Sequence, residues 1–187
     1  MEDEIMSVET FQKLTTILES DRTDNTFKYA LLRAISEFCQ KYTHLMKKDG
    51  DIVIFPFGLM VEKWLWYYWP IFEYQIFIPQ MPERIRNGRR YQLDFRNEFT
   101  AIIDYYRNRN GLSQFYNDYL NGEIPDEINK KVLSLMKRIR TSIKTYPMKH
   151  LGYSVYQDHW QIFKPLPPIP SPRKPVTREL VSKFLNH

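Results

Sequence analysis

The sequence predicts a mainly α-helical domain of five to six helices with one small β-hairpin, a proline-rich linker and a terminal helix. Apolar residues recur at helical spacing in several long segments. Glycine and proline stand where those segments end, as helix boundaries favour. The hairpin is expected near residues 151–164, where apolar and polar residues alternate on both sides of residues 157–159.

Composition divides the chain into three parts. Residues 1–164 are expected to form the helical domain, which has an ordinary size for a single domain. Six prolines fall in the eleven residues 165–175, so we interpret residues 165–176 as an extended, semi-rigid linker. Residues 177–187 begin a following helix or domain, with Thr177 as its N-cap.

The N-terminal half contains two amphipathic segments. The first covers residues 8–19, and the second begins at Thr26 and keeps its apolar residues on one face as far as Leu45. Two small residues, Ala30 and Ala34, lie in the middle of that face. They would let another helix approach closely, and the expected neighbour is the segment 57–72.

Residues 57–80, FGLMVEKWLWYYWPIFEYQIFIPQ, contain three of the four tryptophans of the chain. The helical part of this stretch is apolar around most of its circumference, which is typical of a helix buried on more than one side. Pro70 removes a helical hydrogen bond, so it is expected to kink or end the helix.

Three further helices are predicted in the C-terminal half. The first covers residues 94–108, the second is short and stops at Gly122, and the third begins near Pro125. Between Ile128 and Lys149 every charged residue is basic. The third helix is therefore expected to carry a surface of one sign.

No catalytic constellation is recognisable. The four histidines are scattered without a second ligand at metal-binding spacing, and no phosphate-binding loop or serine-hydrolase motif is present. We expect no metal or cofactor in this chain. The single cysteine, Cys39, is interpreted as a packing residue. The acidic, polar N-terminus and the polar residues that interrupt 52–69 favour a cytoplasmic protein without a membrane partner.

Two basic segments are the candidate nucleic-acid contacts, in a chain with a formal net charge of +5. One surrounds an Asn-Gly turn signal, and the other lies on the third C-terminal helix. Their residues are Arg84, Arg86, Arg89, Arg90, Lys130, Lys137, Arg138, Arg140 and Lys144. Lysine and arginine in such segments contact phosphates electrostatically, which predicts double-stranded DNA as the partner. Ordinary solvated surface is the alternative for both segments.

Three aromatic residues, Trp66, Tyr68 and Trp69, are candidates for stacking on a base. The alternative is that they belong to the core, since tryptophans clustered on a helix usually pack inside a domain.

Three sequence runs resemble the N-terminal region of prokaryotic HNH-type restriction endonucleases. They are TFKYALLRAISEF (26–38), PFGLMVEKWLWYYWPIFE (56–73) and IPQ (78–80). In that family the run "TYKFALLRAL" precedes "KWLEYYWP", and a C-terminal HNH domain cleaves DNA with a divalent metal. This chain has no His-Asn-His constellation within its 187 residues. The resemblance therefore implies a DNA-binding, non-catalytic region of a restriction or antiviral defence nuclease.

On that interpretation a nuclease domain or subunit supplies catalysis and holds the divalent metal. The alternative function, from a different class, is a helical protein-interaction module with no nucleic-acid role. In that case the aromatic stretch forms the partner interface.

Overall fold

The fold is mainly helical, as the sequence predicts. The computed structural model describes residues 12–21, 26–50, 52–81, 92–156 and 163, and the backbone alone of 85–86 and 89–90. The helices of these residues are α1 (12–20), α2 (Phe27–Lys41), α3 (Phe57–Glu73), α4 (Arg96–Arg107), α5 (Gly111–Asn121), α6 (Asp126–Thr145), α7 (Pro147–His150) and α8 (Tyr153–Tyr156). The longer ones, α1 to α6, agree with the predicted five to six.

Two antiparallel hairpins interrupt the helices. Strand β1 (Lys47–Asp49) pairs with β2 (Ile52–Ile54) between α2 and α3, and β3 (Ile85–Arg86) pairs with β4 (Arg89–Arg90) between α3 and α4. A short 3-10 turn, Thr43–Leu45, leads from α2 into β1. The linker 165–176 and the helix expected at 177–187 lie outside the described residues.

Helix α3 is the centre of the core and contacts α2, α4 and α6. The indole of Trp64 lies 5.1 Å from the ring of Phe27 on α2, and that of Trp69 lies 6.0 Å from the ring of Phe99 on α4. Neither tryptophan has any exposed surface. Helix α3 is apolar around most of its circumference because neighbouring helices cover it on several sides.

Helix α2 packs on α3, as its two small residues predict. Ala34 is fully buried and Ala30 nearly so. A methyl side chain at these positions leaves room for the bulky residues of α3, since it adds little width to the helix. The predicted pairing of α2 with the segment 57–72 is confirmed.

Two glycines determine where α5 begins and ends. Gly111 has a φ of +54°, so a larger residue would be strained there, and its Cβ, 2.7 Å from Oε1 of Glu73, would also displace that carboxylate. Gly122 has a φ of +73° and its N–H donates to the carbonyl of Asp118. It is therefore the predicted helix stop.

Pro70 does not end α3, which continues to Glu73. Proline removes only the bond to the carbonyl of Trp66, and the last turn is held by other contacts. Phe72, for example, is buried with its ring 5.2 Å from that of Phe99. Tertiary packing therefore keeps the residues after Pro70 helical.

The prediction of a hairpin near 151–164 is wrong for the residues of this segment that the structure describes. Tyr153–Tyr156 is the helix α8, and residues 157–162 lie outside the described residues. The carboxylate of Asp21 accepts hydrogen bonds from the N–H groups of Gly152 and Ser154 at 3.0 and 3.3 Å. These bonds satisfy the start of a helix, and alternation of polarity cannot predict a partner so distant in the sequence.

Candidate nucleic-acid interface

Helix α6 separates its residues into a buried face and a basic face. Five apolar side chains turn inward: Ile128, Val132, Leu135, Ile139 and Ile143. Lys130 and Lys137 are exposed, and Lys144 is half-buried. The three lysines follow one another at seven-residue intervals, about 10.5 Å along the helix axis, so they form one stripe. Exposed Ser134 and Thr141 lie between them.

Arg138 is held by α4 instead of projecting freely from α6. Its Nε lies 2.5 Å from Oε1 of Glu98, and its Nη1 donates to the carbonyl of Asp94 at 3.4 Å. Half of the arginine side chain is exposed, whereas only 19% of that of Glu98 is. One of the predicted phosphate contacts is therefore already paired with a carboxylate.

Arg140 is half-buried at the opposite edge of the basic face. Its guanidinium lies 5.7 Å from the ring centre of Phe57 at the start of α3. This cation–π contact leaves the charge unneutralised, because the ring offers a quadrupole and no formal charge. Arg140 thus adds a positive charge to the same side of the domain.

The predicted arginine loop contains the hairpin of β3 and β4. Its register pairs Ile85 with Arg90 and Arg86 with Arg89 across Asn87–Gly88, which agrees with the Asn-Gly turn signal. Arg84 and the side chains of the other three arginines lie outside the described residues.

A contact of α6 with Asp94 limits how far the arginine hairpin lies from that helix. Asp94, whose carbonyl accepts from Arg138, follows Arg90 by four residues. A chain of that length spans at most about 14 Å. The base of the hairpin therefore lies within about 14 Å of Asp94, the residue that Arg138 of α6 contacts.

Two of the three candidate stacking residues belong to the core. Tyr68 is 1% exposed and Trp69 is 0% exposed, so neither offers a ring face to a base, and the core alternative is supported for both. Trp66 is half-buried. Its ring makes edge contacts with Tyr116 at 5.3 Å and Tyr119 at 5.5 Å, which attach α5 to α3.

A charged cluster between α2 and α3 was not foreseen from the sequence. Glu37 accepts from Lys63 at 2.7 Å and from the hydroxyl of Tyr67 at 2.8 Å, and Arg33 lies 3.4 Å away. Only the Arg33–Glu37 spacing of four residues, which favours ion pairs on a helix, is visible in the sequence. The contribution of Lys63 depends on how the two helices pack.

The pKa values of this cluster follow from its contacts. Burial raises the pKa of Glu37, but the hydrogen bonds from Lys63 and Tyr67 lower it by more. The pKa therefore lies below the ordinary value of 4.5. Burial lowers the pKa of Lys63, but Glu37 and Tyr42 raise it above 10.5. Burial and the bond to Glu37 both raise the pKa of Tyr67. The cluster therefore stays charged near neutral pH and stabilises the packing of two helices.

A second buried polar contact joins the two ends of the domain. Besides the N–H groups of Gly152 and Ser154, the Asp21 carboxylate accepts a hydrogen bond from Oγ of Ser154 at 2.5 Å. The ammonium group of Lys28 donates to the carbonyls of Ile17 at 3.1 Å and Asp21 at 2.7 Å. We call this set of bonds the Asp21 clasp. It holds α1, α2 and α8 together.

Other kinds of site have little support in the described residues. No three His, Cys, Asp or Glu side chains lie close enough there to hold a metal ion. None of the helices seen in this part of the chain has the length and apolar character needed to cross a membrane. Cys39, interpreted as a packing residue, is exposed.

Comparison with known protein families matches residues 7–185 to DUF8808, a domain of unknown function. The match covers nearly the whole chain, so the protein belongs to this family. No curated protein and no solved structure has significant similarity to it.

Proposed function

We propose that this member of the DUF8808 family binds double-stranded DNA in the cytoplasm, as the non-catalytic region of an HNH-type restriction or antiviral defence system. The observation that carries the proposal is the single sign of charge on the outer face of α6. Lys130, Lys137 and Lys144 form its stripe, and the only acids of that helix, Asp126 and Glu127, lie in its first turn.

The spacing of the lysines supports contact with the phosphate backbone. A row of ammonium groups attracts a polyanion without reading base identity, because phosphates are the same at every base pair. The neighbouring Ser134 can donate a hydrogen bond to a phosphate oxygen, whereas the hydroxyl of Thr141 already donates to the carbonyl of Lys137 at 3.0 Å. Arg140 and the arginine hairpin would extend the contact on either side.

A salt titration tests this proposal. A duplex of about two helical turns, labelled with a fluorophore, is titrated with the whole chain at several salt concentrations. We expect the logarithm of the affinity to fall linearly with the logarithm of the salt concentration. Replacing Lys130, Lys137 and Lys144 by Gln should reduce that slope by about 2.7, since each contact contributes about 0.9.

A matched pair of single variants separates local contact from net charge. Lys137→Gln and Lys41→Gln each remove one charge from an exposed lysine, but Lys41 lies at the end of α2. Only the first should lower the slope by about 0.9. The proposal fails if duplex DNA does not bind at low salt, or if the two variants weaken binding equally.

Catalysis is assigned to a nuclease domain or subunit outside these residues, which would also hold the divalent metal. The absence of a His-Asn-His constellation in the sequence supports this division. The purified chain with plasmid and Mg²⁺ should shift the plasmid on a gel without cutting it. Cleavage that disappears with a chelator and follows the protein through purification would contradict the assignment.

A helical protein-interaction module is the second candidate function, and one observation favours it. After α3, Tyr74 and Ile76 are 60% and 68% exposed, and Phe77 and Ile78 are both 37% exposed. Adjacent exposed apolar residues often mark contacts with other proteins. If Ile76→Ser removed binding to a partner protein while the chain showed no affinity for DNA, this candidate would replace the first.

A further inference from the structure

The β1–β2 hairpin extends away from the helices. All of Lys47–Asp49 is exposed, and in β2 Ile52 and Val53 are 63% and 50% exposed. Only Ile54 at its base is half-buried. Two strands alone form a marginal sheet, which usually gains a third strand or a covering helix. The exposed β-branched residues are therefore an unusual feature of this hairpin.

Each strand of the hairpin has an outer edge with main-chain groups that point away from its partner. Two residues, Gly50 and Asp51, connect the strands, and Gly50 has the φ of +58° that tight hairpin turns favour. In such a hairpin the pair next to the turn, Asp49 and Ile52, exchanges both main-chain bonds, and the following pair exchanges none. The N–H and C=O of Lys48 and Val53 therefore point outward. In the described part of the chain no third strand pairs with either edge.

The two edges differ in charge. Strand β1 is Lys-Lys-Asp, and lysine on an edge strand opposes pairing with another chain. Strand β2 is Ile-Val-Ile, which is neutral and has a high preference for sheets. Strand β2 thus lacks the protection that β1 has.

We propose that the β2 edge pairs in antiparallel fashion with the β2 edge of a second copy of this chain. A two-fold axis at Val53 would pair that residue with itself, and its outward N–H and C=O would exchange two hydrogen bonds with the second copy. Ile52 would face Ile54 of the second copy, so apolar residues would cover one another.

The sequence of β2, Ile-Val-Ile, reads the same from both ends, so the strand is complementary to itself, and charge selects this edge for a second copy. The neutral β2 strands meet at the centre of the resulting four-stranded sheet, and the lysines of β1 lie at its two far edges. Pairing through β1 would instead bring Lys47 and Lys48 of both copies together. A three-residue strand buries far less than the roughly 800 Å² per partner of a stable interface, so the association is weak and reversible. This pairing of two copies does not depend on the proposed DNA binding.

Sedimentation velocity of the whole chain from micromolar to millimolar concentration tests the inference. The weight-average sedimentation coefficient should rise with concentration. Val53→Pro should abolish the rise, because proline removes the outward N–H without removing a bond of the hairpin itself. Lys48→Pro is the matched control, since it removes the outward N–H of the cross-strand partner on the other edge. It should leave the rise unchanged.

A second variant covers the case in which proline disturbs the hairpin. Val53→Lys keeps the N–H but places like charges opposite each other across the two-fold axis, so it should also reduce the rise. A constant sedimentation coefficient for the unsubstituted chain would overturn the inference. An equal loss in Val53→Pro and Lys48→Pro would do the same, because the integrity of the hairpin would then explain both. Slow hydrogen exchange of the Val53 amide in the dilute monomer would also overturn the inference, because it would show that the chain itself covers this edge.

Discussion

Helices α3 and α6 pack against each other but serve different purposes. Helix α3 contributes four buried aromatic residues to the core, more than any other described helix, and is covered by α2, α4 and α6. Helix α6 buries one apolar face and leaves a basic stripe outside. Clustered aromatic residues therefore mark the structural centre, whereas the proposed function depends on charges at the periphery. Substitutions in the two regions should therefore have opposite consequences.

The largest loss of stability is expected at the centre of α3. Trp64→Ala removes a fully buried indole that contacts Phe27, Tyr68 and Phe95, so the free energy of unfolding should fall by about 3–5 kcal/mol. Denaturant unfolding measures this change. Tyr116→Ala, at an aromatic residue that is 41% exposed, is the control and should cost much less. A stable Trp64→Ala protein that had lost only DNA binding would contradict the role of α3 as the core.

A smaller loss is expected at the Asp21 clasp. Asp21→Ala leaves the N–H groups of Gly152 and Ser154 without their carboxylate, which should cost about 1–3 kcal/mol. Faster hydrogen exchange at these two amides would accompany the loss. Glu19→Ala, at an exposed acid on α1, should change neither quantity. Unchanged exchange in Asp21→Ala would mean that the clasp does not hold α8.

A still smaller loss, and one that depends on pH, is expected at the Glu37–Lys63 pair. The pKa of Glu37 is lower in the folded protein, so its stabilising effect is present above the unfolded pKa near 4.5 and is lost as pH falls through the folded pKa. The pKa of Lys63 is higher in the folded protein, so its effect is complete below 10.5 and is lost at more alkaline pH.

Thermal unfolding from pH 7 down to pH 3 tests the acid side of this window. Glu37→Gln should cost about 1 kcal/mol at pH 7, and the cost should shrink as the wild-type carboxylate becomes protonated. If the difference between the two proteins stayed constant over this range, the carboxylate of Glu37 would not be the stabilising group.

Removing the basic stripe should have almost no effect on stability. The variant with Gln at positions 130, 137 and 144 changes side chains outside the core, so its free energy of unfolding should stay within about 0.5 kcal/mol of the wild type. The same protein should lose DNA affinity. A large loss of stability would show that α6 needs its lysines for folding.

The most specific test concerns Arg138, a basic residue of α6 that is paired with a carboxylate. Glu98→Gln should release Arg138 for phosphate contact, with a salt slope steeper by about 0.9 and tighter binding. Asp104→Asn is the matched control, because it also removes an acid of α4 that pairs with an arginine, Arg107 at 2.9 Å. An equal gain in both variants would point to net charge alone.

Periodicity and helix-end residues predicted much of this fold. The inner residues of α2, α4 and α6 recur at helical spacing, and Gly122 stops α5, because both signals lie within a few residues along the chain. The site was predicted only as a set of basic residues. Spacing shows that Lys130, Lys137 and Lys144 share a stripe, but it cannot show that Arg138 is paired with Glu98.

What local sequence could not predict depends on residues far apart in the chain. The Asp21 clasp crosses 131 residues and makes a helix where alternating polarity suggested a strand. Burial of Tyr68 and Trp69, and the contact of Arg138 with Asp94, also depend on how the helices pack. Helix formation is governed by neighbours three and four residues away, so the amino-acid order specifies it directly. Contacts between helices arise only when the whole core assembles, and these contacts decide which charges remain free for a partner.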